Sequence, residues 1–144
     1  MTKKLLHTCL AVSIVVVCGC SPTHMGREPD EMYTRAAALK KLSAAVESAV
    51  QYKDAPPELA DDALLRFAVA HNPSLLDGFE GYVLKARNSN AHAVVLLCDG
   101  TGKYALIEDA GCTGEVDIQH WSRVAPSPCD FTLDVVALCD GGDL

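Results

Sequence analysis

Beyond residue 20, few residues are of types that do chemistry. They are four cysteines (Cys98, Cys112, Cys129, Cys139), four histidines (His24, His71, His92, His120) and the acidic clusters Glu108-Asp109 and Glu115 with Asp117, which flank Cys112. Cysteines with His120 could make a zinc site, but no CxxC pair occurs and the spacings match no zinc module, so no metal and no other cofactor is expected. Paired carboxylates could bind calcium or act in acid/base catalysis. The run Asp99-Gly100-Thr101-Gly102-Lys103 has the look of a calcium loop. It fails at the third ligand position, which is Lys103, and at Tyr104, where the loop needs glycine, so it reads as a polar hairpin turn. His71 falls near a helix C-terminus, where a charged imidazole suits the dipole. His92 begins a strand, and His120 adjoins Trp121. No HExxH, GxSxG, SxxK or P-loop motif is present, and no catalytic residue is assigned.

Charge narrows the classes further. The chain carries −7 overall. Without Lys3 and Lys4 it holds ten basic residues against nineteen acidic ones, or −9. The imbalance is concentrated in residues 99–144, with two basic and nine acidic groups. Such a surface opposes nucleic-acid binding, which needs cationic groups, and electrostatic adhesion to anionic lipid. It keeps a protein soluble and would suit a basic partner.

Lys3 and Lys4 precede a mostly apolar run from Leu5 to Val17, followed by Cys18-Gly19-Cys20. A secretory apolar core spans about 7–15 residues and a membrane-crossing helix about 20, so this run is of the first kind. With aliphatic Val17 at −3, small Gly19 at −1 and a cysteine at +1, residues 1–21 resemble a bacterial lipoprotein signal peptide with its lipobox; Cys18 at −2 departs from the usual Ala, Ser or Thr. The resemblance implies cleavage before Cys20 and lipidation of Cys20. One acyl chain anchors marginally, at roughly 0.8 kcal/mol per buried CH₂, and two or three hold firmly. Ser21 rather than Asp after the cysteine implies the periplasmic face of the outer membrane. The division that follows is a signal peptide over 1–19, a lipidated tether over 20–29 and one domain over 30–144.

Export bears on the cysteines. Cys9 and Cys18 leave with the signal, Cys20 takes the lipid, and four remain in an oxidising compartment, so two disulfides are expected. Bridged Cα atoms lie within about 7 Å, and a strand advances about 3.3 Å per residue. If residues 130–138 form one strand, Cys129 and Cys139 stand on the order of 30 Å apart and cannot pair. If the chain returns from Cys98 as a hairpin, Cys112 is likewise far from Cys98. Strands running up, down and up favour Cys98–Cys139 with Cys112–Cys129; a helical last segment would restore Cys98–Cys112 with Cys129–Cys139.

These groups need a frame. Asp30 could cap a helix running to about Lys53, with Met32, Ala36, Leu39, Val46, Ala49 and Val50 on one stripe and Lys40, Lys41, Glu47 and Lys53 exposed. Pro56-Pro57 would open a second helix, with Leu59, Ala63, Leu64, Phe67 and His71 on one face and Asn72-Pro73 as the stop. Ser74 to Gly78 fits a short helical turn. Tyr82, Leu84 and Ala86 alternate with Val83, Lys85 and Arg87, as in a half-buried strand. Asn88-Ser89-Asn90 is a turn, 91–98 reads as a central strand, and 103–109 as the next. Residues 113–128 are irregular, with Trp121 as their anchor. Phe131, Leu133, Val135 and Ala137 alternate like a last strand, a short helix being the other reading. The expected fold is α+β: two N-terminal helices on an antiparallel sheet of three to four strands, pinned by two disulfides.

The functional expectation is a membrane-anchored envelope protein that serves as a protein–protein interaction module, of inhibitor, immunity or accessory-subunit type, with a basic envelope or extracellular partner. The alternative is a small periplasmic hydrolase or metal-dependent enzyme using His71, His92 or His120 with acids. It requires a pocket that brings two of these histidines to a carboxylate or hydroxyl.

Overall fold

The computed structural model describes residues 28–141. Helix α1 (Pro29–Tyr52) and helix α2 (Asp61–Ala68) are followed by a 3₁₀ segment, Pro73–Phe79, and then by strands β1 (Val83–Ser89), β2 (His92–Cys98) and β3 (Ala105–Ala110). A 3₁₀ turn, His120–Ser122, and a short helix α3 (Val135–Asp140) complete the chain. The strands form an antiparallel sheet in the order β1-β2-β3. The architecture is α+β, as the sequence predicts, with three strands. Among the described residues no helix is long and apolar enough to cross a membrane.

Helix α1 lays the expected stripe on one face of the sheet. Met32, Leu39, Leu42, Val46 and Ala49 are buried against Ala93, Val95, Leu97 and Ile107. Pro29 sits in the first turn, where its missing N–H costs nothing, so Asp30 lies inside the helix and does not cap it. Pro56 and Pro57 precede α2, which starts only at Asp61 and buries Leu64, Leu65 and Ala68. Asp61 holds a positive φ of 47°, and its carboxylate accepts the Ala86 N–H of edge strand β1 (3.2 Å). That contact satisfies an outward-facing amide that would otherwise invite another strand.

Residues 93–98 of β2 are buried on both faces, which explains why this strand is apolar without alternation. Its second face is covered by the C-terminal segment. Val94, Ala110 and Val135 pack together with Phe131 and Leu133, and Leu96, Cys98 and Ala105 pack with Cys129. The molecule is thus layered: helices, sheet, irregular cover. The β1–β2 connection is the two-residue turn Asn90-Ala91, with φ of 53° and 65°, one step later than the expected Asn88-Ser89-Asn90. Two positive φ values suit the twist of a tight hairpin.

The C-terminal segment departs from the expected strand. After β3 the chain returns antiparallel beside it. Ile118 bridges Glu108 and Pro128 bridges Tyr104, with the turn at His120–Ser122 bulging between them. Cys129 therefore arrives at the Cys98 end of the sheet. Residues 130–140 then run parallel to β3, and Asp140 meets His92 at the opposite end. The bridges are Cys98–Cys129 and Cys112–Cys139, with Cα separations of 5.8 and 5.9 Å. The favoured pairing of Cys98 with Cys139 and Cys112 with Cys129 is overturned because it assumed the opposite direction for this segment. The two bridges pin the cover at its two ends.

Candidate functional site

The polar side chains buried against the sheet form three separate groups. The first centres on Glu108, which points from β3 into the cover and is fully buried. Its Oε1 accepts the backbone N–H groups of Thr132 (2.8 Å) and Leu133 (3.0 Å). Its Oε2 accepts from the Thr132 hydroxyl (2.6 Å) and lies 3.2 Å from His120 Nε2. One carboxylate thus replaces the ladder that a fourth strand would have supplied to 132–133. His120, rather than half-buried Trp121, is the deeper anchor of the 113–128 stretch. Trp121 packs edge-on against Tyr33 of α1, with ring centroids 5.6 Å apart.

The second group lies where α1 meets the end of the sheet. Glu47, expected on the exposed face, is buried. Its Oε1 lies 2.8 Å from His92 Nδ1, and its other oxygen accepts the Ala93 N–H. His92 Nε2 lies 2.8 Å from Asp140 Oδ1. Each ring nitrogen faces a carboxylate, so the hydrogen bonds to Glu47 first and to Asp140 second raise the His92 pKa above its usual 6.5. The close approach of α1 depends on Gly111, where a Cβ would overlap the Glu47 side chain and the Ser43 carbonyl.

The third group pairs the Ser43 hydroxyl with Asp109 Oδ2. Burial drives the Asp109 pKa up from 3.8 to about 6; the Ser43 bond opposes the rise and the charge of Asp117 adds to it. Asp117 itself accepts the Ala110 N–H (2.7 Å) and the Thr113 hydroxyl (3.0 Å).

The sequence-predicted residues are thus dispersed. His92 lies between two carboxylates, Glu47 and Asp140, and His120 faces a third, Glu108, in a different group, while His71 is exposed on the turn after α2. Asp99 is folded into its own turn, accepting from Thr101 Oγ1 (2.7 Å), Lys103 N (2.9 Å) and Tyr104 N (3.1 Å). Among the described residues no three His, Cys, Asp or Glu side chains are grouped to hold a metal ion. Cys20, the expected signal segment 1–19 and His24 lie outside the described residues, as does most of the expected tether over 20–29. A cleft of about 430 Å³ opens between the Asp99–Leu106 turn and the segment 120–126. Nothing in the sequence pattern singles it out, since its walls come from stretches about twenty residues apart. No protein-family model, curated protein or solved structure matches the chain.

Proposed function

We propose that this chain is a lipid-anchored protein of a bacterial cell envelope, tethered through Cys20 at the periplasmic face of the outer membrane, and that its folded region is a protein–protein interaction module. The observation that carries the module reading is where the reactive side chains are used. Glu108, Glu47 and Asp99 have their oxygens filled by backbone amides, hydroxyls and imidazoles. His92 and His120 stand in separate groups rather than converging on one carboxylate. These groups are spent on holding the cover and the helix to the sheet, which leaves the hydrolase alternative without its paired histidines. The two disulfides suit an oxidising compartment, and a formal charge of −9 on residues 20–144 suits a partner with a basic face.

The anchor is tested by growing cells with a labelled fatty acid. The label should enter the protein and vanish in Cys20→Ala, with release from the membrane fraction; label retained in the variant would overturn it. The module reading is tested by crosslinking in intact cells, comparing the native protein with a Glu115→Gln/Asp130→Asn variant of its exposed acids. One discrete adduct that weakens in the variant is expected. No adduct, together with an unchanged envelope on deletion, would sink it.

A further inference from the structure

Residues 99–144 carry nine acidic groups and two basic ones, Lys103 and Arg123. Both basic residues line the same cleft, although twenty residues separate them. Both are exposed, and neither forms an ion pair among the described residues. The one acid beside them, Asp99, is buried and turned into the loop, where it receives a hydroxyl and two backbone amides. The cleft is therefore locally cationic in an otherwise acidic half of the chain.

Its walls add a further feature. Tyr104 is about half exposed there and Trp121 half buried, so the cleft offers ring surface as well as charge. The volume, about 430 Å³, falls in the range of small-molecule sites, about 300–1,000 Å³.

We propose that this cleft binds a small organic anion with a flat or ring-shaped body. The oxyanion is held by Lys103 and Arg123, Arg123 offering the two-pronged geometry that carboxylate and phosphate oxygens favour. The body lies against Tyr104 and Trp121. The proposal is independent of the lipid anchor and of any protein partner.

Trp121 is the one tryptophan of the chain, so intrinsic fluorescence reports on this cleft alone. The full-length protein, in detergent and with disulfides formed, would be titrated with benzoate, phenyl phosphate and uncharged benzamide. Saturable change with benzoate or phenyl phosphate and none with benzamide is expected; which anion binds more tightly identifies the oxyanion class. Lys103→Gln/Arg123→Gln should weaken binding about tenfold or more, as should raising ionic strength from about 0.05 to about 0.5 M. Both residues are exposed, so the fold should persist, and an unchanged melting curve would verify it. Benzamide binding as well as benzoate, indifference to the double substitution, or no saturable change with either anion overturns the proposal.

Discussion

Removing the Glu108 carboxylate should release the C-terminal cover. Glu108→Ala deprives four donors of their acceptor: Thr132 N, Leu133 N, Thr132 Oγ1 and His120 Nε2. Thr132 is exposed and its hydroxyl rehydrates, so its share is small; Leu133 N–H and the fully buried His120 ring are harder for water to reach. At about 1–3 kcal/mol for each buried donor left unpaired, plus the volume left by the side chain, the loss comes to about 3–5 kcal/mol. Glu108→Gln should cost less, about 1–2 kcal/mol. Its amide oxygen still accepts from Thr132 and Leu133, and the hydroxyl can turn to accept from the new NH₂. The imidazole, however, must shift its proton to Nδ1, which is buried without a partner. Urea denaturation with the disulfides intact is the assay. With a slope of about 1.5 kcal/mol/M, Glu108→Ala should lower the midpoint by about 2–3 M and Glu108→Gln by about 0.7–1.3 M. Amide exchange at Thr132 and Leu133 should accelerate more than at β2. Equal midpoints for the two variants, or a loss below about 1 kcal/mol for alanine, would refute the view that this carboxylate holds the cover.

Three other outcomes are expected. Ala91 occupies the left-handed region at φ 65°, where a Cβ costs roughly 1 kcal/mol, so Ala91→Gly should raise stability by about 0.5–1 kcal/mol in the same denaturation assay. Asp109 and His92 should make stability fall between about pH 4 and pH 8. Asp109, raised from 3.8 to about 6, is fully stabilising below 3.8 and has lost that contribution once the pH has risen through about 6. His92, raised above 6.5, is fully stabilising below 6.5 and loses its contribution as pH climbs through its folded value. Asp109→Asn should flatten the lower part of that decline and add about 1–2 kcal/mol at pH 7; His92→Asn should flatten the upper part, and a slope unchanged in both variants would contradict the assignment. Mass mapping of the non-reduced protein should yield Cys98–Cys129 and Cys112–Cys139 peptides, with sequence separations of 31 and 27 residues. Each bridge is worth about 3.5 kcal/mol by loop entropy, so Cys112→Ser/Cys139→Ser should destabilise by about that much and detach α3.

Local pattern carried much of this fold. The helical stripe from Met32 to Val50 and the three sheet strands follow from periodicities of 3.6 and 2, which any single element displays in its own residues. The almost continuous apolar run of 91–98 already read as a central strand, and the even number of cysteines after residue 20 implied two bridges. What the pattern left open depends on partners distant in the chain. Phe131, Leu133 and Val135 alternate as a strand would, yet the Thr132 and Leu133 amides are taken by the Glu108 side chain rather than by a neighbouring backbone. The alternation records an extended segment docked on a sheet, and its direction, which decided the disulfide pairing, is set by packing against Val94, Leu96 and Ala110. Glu47 sits one step beyond the apolar stripe and reads as exposed until β2 brings His92 and the Ala93 N–H to it. Lys103 and Arg123 look like scattered charges until the bulge at 120–122 folds them onto one cleft. Short-range pattern settles which elements form; which side chains meet across them is settled only when buried polar groups find partners far away in sequence, because a buried group without one is too costly to keep.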